Sequence, residues 1–252
     1  MWNLFKSDVY RLLHSRYFQV LVLLYFVSIA LMVSAGMVEA NNGLVSFDYK
    51  TTSFSEYLCF LPLNVLFGFF VFLSYVMLLS DEYQKGYVKN LYPYFQKKWK
   101  ISVARMVTFI MIWFLYFIIG IAYGFFWIGC IEGRWGNTDG FGYVMFVLAQ
   151  LLVASLIALV ISLVIHLVRE KVIPIIFLLL YSSGGLWALG LSLISFIGWD
   201  SLRFSEYNPY YMSHTLRAVW DTSTYGHLFW VTGIFTLIAL MGNILVLQKK
   251  DL

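Results

Sequence analysis

The sequence predicts an all-α integral membrane protein, and three observations carry that class. Of its 252 residues, 61% are hydrophobic and only 12% are charged, about half the charge of a soluble domain. Six stretches are apolar enough, and near enough to ~20 residues, to cross a bilayer core as helices. The lysines and arginines gather in alternate connections, the pattern left when one side of a membrane retains them.

The first sixteen residues form a separate element. On a helical wheel Trp2, Phe5, Val9, Leu12 and Leu13 share an arc of roughly 100°, the width of an apolar stripe. Asn3, Ser7, Asp8, Arg11 and His14 take the other side. The pattern predicts an amphipathic helix lying along the membrane surface. It can serve as an anchor for the first span, as a docking surface for a partner, or as both.

The six spans follow at about 18–38, 57–79, 103–131, 141–167, 172–198 and 227–247. Lipid offers no partner for free backbone N–H and C=O groups, so each is expected to be helical. The whole chain, 1–252, reads as a single transmembrane domain. Val33-Ser34-Ala35 is a weak cleavage-site match, but the segment before it is long and charged at its start, so the first span is read as retained. The fourth and fifth spans are joined by a tight turn at 168–171.

Basic residues set the orientation. Thirteen of the 17 lie before the first span, at 80–105, in the 168–171 turn or at the end of the chain. Only Lys50, Arg134, Arg203 and Arg217 fall on the other side. Both termini and the 80–102 loop are therefore expected in the cytoplasm, with 39–56, 132–140 and 199–226 outside. The last of these contains "YNPYYMSHTLRAVW", where Pro209 prevents one continuous helix. Short helices at the outer interface are expected there.

Familiar chemistry is missing. There is no G-x-x-x-x-G-K-[ST], G-x-S-x-G, H-E-x-x-H or C-x-x-C. The four histidines, His14, His166, His214 and His227, divide between the two sides and cannot converge on a metal. His166 is read as a packed or interfacial residue. Asn64, Ser155, Ser162, Ser182 and Ser183 are scattered through the apolar segments, and helix packing accounts for the serines. No enzyme is expected. Cys59 and Cys130 fall near the outer ends of their spans. Two buried free thiols are the expectation and an outer disulfide the alternative.

The 80–102 loop is the one stretch where chemistry concentrates. Asp81 and Glu82 would oppose the dipole at a helix C-terminus. They are therefore expected to open a new short helix, with Asp81 and Lys85 paired at i,i+4. On that helix Tyr83, Tyr87, Val88 and Leu91 share one face, Glu82, Lys85 and Lys89 the other, and Pro93 ends it. A charged turn would explain the lysines but not the tyrosine stripe, Gly86 or the paired acids.

Four features resemble the membrane subunits of ABC-2 type exporters. "LFKSDVYRLLHSRYF" resembles that family's opening amphipathic helix. "DEYQKGYVKN" resembles its loop pattern of acid, aromatic, two variable residues, Gly, small or aromatic residue, aliphatic, Lys and Asn. "NPYY" resembles a segment before the last helix, and "QKKDL" the short basic tail. Tyr87 departs from a common threonine, and Tyr92-Pro93 interrupts what is often helix.

The resemblance implies a permease in the plasma membrane, of bacterial type. It binds no cofactor itself, since ATP and Mg²⁺ would sit on a P-loop ATPase subunit supplied in trans. Asp81, Glu82, Tyr83, Lys85, Gly86, Tyr87, Lys89, Asn90 and Leu91 would form the coupling helix docked in that ATPase. Trp2, Phe5, Val9 and Leu12 would support it from the N-terminal helix. A second copy of the chain would complete a homodimer. The family's path, lined by the second and fifth helices, would here include Phe67, Phe70, Phe72, Tyr75, Phe177, Tyr181 and Trp187. An aromatic, uncharged lining suits a hydrophobic or amphipathic cargo, with a toxin or antimicrobial peptide first and a lipid or lipophilic drug after it. The competing class is a membrane sensor or immunity protein that binds peptide or lipid without moving it. A co-purifying ATPase separates the two.

Overall fold

The computed structural model describes residues 2–35, 38–41, 45–48, 53–84, 99–137, 139–182, 184–197, 207–216 and 221–249. The chain begins with α1 (Trp2–His14) and α2 (Arg16–Ala35), whose axes differ by 65° across Ser15. The bend separates an amphipathic helix from an apolar one. The face α1 turns inward is Leu4, Asp8 and Leu12, one turn apart and all buried. Trp2 and Leu13 are exposed, and Phe5 and Val9 are half-buried. This shifts the wheel: of its apolar arc only Leu12 is buried, and an aspartate assigned to the polar side is enclosed.

After α2 comes a two-stranded antiparallel hairpin, β1 (Val38–Asn41) and β2 (Val45–Asp48), with Val38 opposite Asp48. It is a small departure from the all-helical expectation. Next, α3 (Phe54–Phe60) opens with a reciprocal cap: the Ser53 hydroxyl accepts from the Glu56 amide, and the Ser53 amide donates to Glu56 Oε2 at 2.9 Å. A 3-10 turn, Leu61–Leu63, follows, and α4 runs over Val65–Gln84. The expected span at 57–79 is thus divided. Pro62 brings no N–H, and Asn64 caps the new helix by accepting from the Leu66 amide at 2.7 Å. The long helix starts eight residues later than expected and carries on through Asp81, Glu82 and Tyr83.

The next two spans match their expected positions. α5 (Trp99–Gly124) continues as a π-helical segment, Phe125–Ile131. α6 (Gly140–Val168) is capped by Asp139, which accepts from the amides of Phe141 and Gly142, both at 3.2 Å. The expected fifth span is broken into α7 (Val172–Ser182) and α8 (Gly185–Ile197). Between them Gly184 takes φ +72°, a conformation that only glycine adopts without strain. α9 (Pro209–Thr215) lies in the expected outer segment, with Pro209 at its first turn. α10 (Thr222–Lys249) is capped by Asp221, which accepts from the amides of Ser223 and Thr224. Bonds from the Thr224 and Ser223 hydroxyls, then from those amides, lower the Asp221 carboxyl to about 2.

Among the described residues four helices are long and apolar enough to cross a membrane: α4, α5 with its π-helical continuation, α6 and α10; the bent α1–α2 pair makes a fifth only if it is counted as one span. The chain is a multi-pass membrane protein. Its core is aromatic. Tyr25 of α2 stacks edge-on against Tyr116 of α5 at 4.9 Å, and Phe67 of α4 meets Trp113 at 5.4 Å. Asn243 of α10 donates to the Leu159 carbonyl of α6 at 2.8 Å. A buried amide bonded across two helices fixes their register.

Candidate functional site

Charge collects at one end of the bundle, where α1, the last turn of α4, the first turns of α5 and the α6–α7 connection meet. Glu82 is the centre. Its Oε1 accepts from Arg11 Nη1 at 2.9 Å and its Oε2 from Arg105 Nη2 at 2.5 Å. One buried carboxylate thus holds α1, α4 and α5 together. Arg105 Nη1 also lies 3.0 Å from His166 Nε2, and His166 Nδ1 lies 2.7 Å from the Tyr83 hydroxyl. A guanidinium can only donate. His166 Nε2 therefore accepts, and the ring carries its N–H at Nδ1, aimed at Tyr83; the tautomer follows from the network. His166 brings α6 into the same knot.

Asp8 is the second buried acid. Arg11 Nη1 is 3.7 Å from its Oδ1, an ion pair without a hydrogen bond. Its Oδ2 faces Thr108 Oγ1 at 3.5 Å, but the one proton of that hydroxyl has a closer acceptor, the Ala104 carbonyl at 3.1 Å. An ionised Asp8 is therefore poorly served. Burial, then the Glu82 charge, raises its carboxyl from 3.8 to about 7, against the opposing pull of Arg105, Arg11 and Thr108. At the rim, Asp81 pairs with Lys171 of the α6–α7 connection at 2.5 Å.

These positions revise the loop reading. Asp81, Glu82 and Tyr83 are not the first turn of a new helix; they end α4. The dipole penalty near a helix C-terminus is about 0.3–1 kcal/mol. Direct ion pairs to Arg11, Arg105 and Lys171 outweigh it. Glu82 is buried, and Tyr83 is half-buried against His166, so neither presents a free docking face. Lys85, Gly86, Tyr87, Lys89, Asn90 and Leu91 lie outside the described residues, as does the proposed Asp81–Lys85 pair.

The aromatic lining is revised as well. Phe67, Phe70, Phe72 and Tyr75 are buried inside this chain's own core, Phe72 stacked on Phe109 and Tyr75 edge-on to it at 5.2 Å. They do not form an outward-facing wall. Phe67, Phe72 and Tyr181 do border an internal cleft where the two broken segments meet: Pro62–Val65 on one side, Tyr181 and Ser182 on the other. Its polar groups, Asn64, Gln150, Ser213 and His214, carry no fixed charge, and Gln150 donates to the Ser213 carbonyl at 2.7 Å. Phe177 borders a separate apolar groove between α6, α7 and α10. Trp187 is on α8, and its side chain lies outside the described residues.

His166 is packed, as expected. Cys59 and Cys130 are both free, but Cys130 is exposed and not buried. Among the described residues no group of three His, Cys, Asp or Glu side chains is placed to hold a metal.

Sequence reasoning missed the network because its members are distant in the chain. One signal was present: Arg105 is an ionisable residue within an apolar run, which calls for a buried partner. No protein-family model matches the chain, and comparison with curated proteins gives no match.

Proposed function

We propose that the chain is the permease subunit of an ATP-driven exporter of the ABC-2 type. P-loop ATPase subunits bind it in trans, and a second copy completes a homodimer in the plasma membrane of a bacterium. Its cargo is hydrophobic or amphipathic, a toxin or antimicrobial peptide before other classes. The chain itself holds no ATP and catalyses no reaction.

The observation that carries the reading is the anchoring of the basic segment. Residues 85–98 leave α4 two residues after Glu82 and rejoin α5 six residues before Arg105, and those two side chains are ion-paired. A force applied to the segment therefore acts on α4 and α5 as one body, with α1 attached through Arg11. That is what a subunit driven from outside the membrane requires.

The test is purification of the full-length chain from native membranes. A P-loop ATPase should accompany it, and candidate peptides should stimulate ATP hydrolysis by the reconstituted complex. Lys85→Glu with Lys89→Glu and Tyr87→Ala should abolish that association while leaving thermal unfolding of the permease unchanged. A chain that purifies with no ATPase is not a transporter subunit, and peptide binding without hydrolysis would mark a sensor or immunity protein.

A further inference from the structure

An open cleft of about 370 Å³ lies at the elbow between α1 and α2. Its two walls differ in kind. The floor is apolar: Leu12, Phe18 and Leu78 are buried beneath it, and Leu21 and Met77 are half-buried along it. The rim is polar, with Arg11, His14 and Arg16 above the floor. The elbow is also where a 65° bend joins the amphipathic α1 to the apolar α2, the junction at which a helix lying in the interface would meet a membrane span.

Arg16 is the residue the fold does not explain. It opens α2, where the helix dipole disfavours a cation. It is exposed, and among the described residues no carboxylate pairs with it. Arg11 differs, being committed to Glu82. The one acid of the rim, Asp81, is paired with Lys171 and presents little uncompensated negative charge. His14 stacks on Tyr10 at 4.0 Å, and its Nδ1 is within 2.9 Å of the Tyr10 carbonyl. The Tyr10 carbonyl can only accept, so Nδ1 carries the N–H. The cleft therefore offers positive charge over a greasy slot.

We propose that this elbow cleft binds one anionic phospholipid of the adjoining leaflet. The phosphate is held by Arg16 at the rim, and the first carbons of an acyl chain lie along Phe18, Leu21 and Met77. A zwitterionic lipid brings its own cation to the same rim and is disfavoured. The lipid would brace α1 against α2 and α4, and Glu82 ties α1 to α4 from within. The proposal stands on the cleft's geometry and does not require the transport reading.

Native mass spectrometry of the full-length chain in detergent tests it, with dioleoylphosphatidylglycerol and dioleoylphosphatidylcholine as probes. The wild type should bind the glycerol lipid more tightly, and raising the salt should shrink that preference. Arg16→Gln should weaken binding of the anionic lipid about fivefold and leave the choline lipid unchanged. Lys6→Gln, which removes a cation of α1 that does not border the cleft, should change neither. Equal affinity for both lipids in the wild type would overturn the proposal, as would an equal loss in Lys6→Gln. Displacement of the lipid by millimolar glycerol 3-phosphate would assign the site to a soluble phosphate ester instead. If Arg16→Gln fails to fold, the salt dependence of the wild-type preference decides alone.

Discussion

The two ends of the bundle are held together by different physics. At the basic end, α1, α4, α5 and α6 are joined by charge: Glu82 bridges Arg11 and Arg105, and Arg105 passes the link to His166 and Tyr83. Toward the other end no ion pair joins two of the described helices. There the chain relies on close approach and on neutral hydrogen bonds. The Tyr57 hydroxyl donates to the Gly120 carbonyl at 3.0 Å, and the Tyr57 ring lies against Gly124. The helices there are also broken, at Pro62 and at Gly184. Directional ion pairs make one end rigid and specific, whereas short helices packed over glycines leave the other segmented. A bundle built this way has a fixed lever at one end and divisible elements at the other.

The largest expected effect comes from removing the centre of the charged knot. Glu82→Gln keeps the shape and some hydrogen bonds but leaves the buried Arg105 and the half-buried Arg11 beside a poorly ionised Asp8. Breaking a buried pair on one side costs about 3–5 kcal/mol. Thermal unfolding in detergent should show a large drop in midpoint, and protease should cut near residue 15 as α1 loosens. An unchanged midpoint would mean that charge does not hold this end.

At the opposite end the strongest perturbation is steric. An added Cβ at Gly124 would overlap the Tyr57 ring, which cannot retreat while its hydroxyl is bonded to Gly120. Gly124→Ala should cost about 1–3 kcal/mol, the usual range for overpacking. Tyr57→Phe should cost less, since it removes only the hydroxyl. If Gly124→Ala is neutral, the α3–α5 contact is looser than described. Gly184→Ala comes next. Alanine at φ +72° costs about 1–2 kcal/mol, and the cheapest escape is to continue the helix from α7 into α8. Amide exchange at residues 184–186 should then slow. Unchanged exchange with unchanged stability would show that the break does not depend on glycine.

How much of this was legible follows the same division. α5, α6 and α10 were readable because hydropathy over ~20 residues reports membrane burial directly, and periodicity marked 2–14 as a helix without giving its buried face. The breaks were not, because Pro62, Asn64 and Ser182–Gly185 barely lower a windowed average. Their residue types are visible, but Ser182 and Ser183 read as packing serines and not as an interruption. The charged knot was hidden for another reason. Asp81 and Glu82 were judged by a local rule about helix ends. The energies that decide their place come from Arg11, 71 residues from Glu82 in sequence, and from Arg105 and Lys171. Local rules fail where a tertiary partner contributes more than the local penalty.

The smallest effect at neutral pH, and the most diagnostic one, concerns Asp8. Its carboxyl ordinarily titrates near 3.8 and is raised to about 7 in the fold, by burial first and by Glu82 second. A raised acid stabilises the fold fully below its ordinary value and loses that contribution as pH rises through about 7. The basic end should therefore loosen between pH 5 and pH 8, when Asp8 ionises without a good donor. Asp8→Asn holds the site neutral, so it should flatten the pH profile and protect α1 from protease at pH 8. Glu82→Gln removes the second cause of the shift, so any remaining pH dependence should move to lower pH. A wild-type profile that is flat from 5 to 8, or one that Asp8→Asn leaves unaltered, would show that Asp8 stays ionised beside Arg11. The knot would then be a balanced set of two acids and two arginines, and not one acid shared by two arginines with a neutral neighbour.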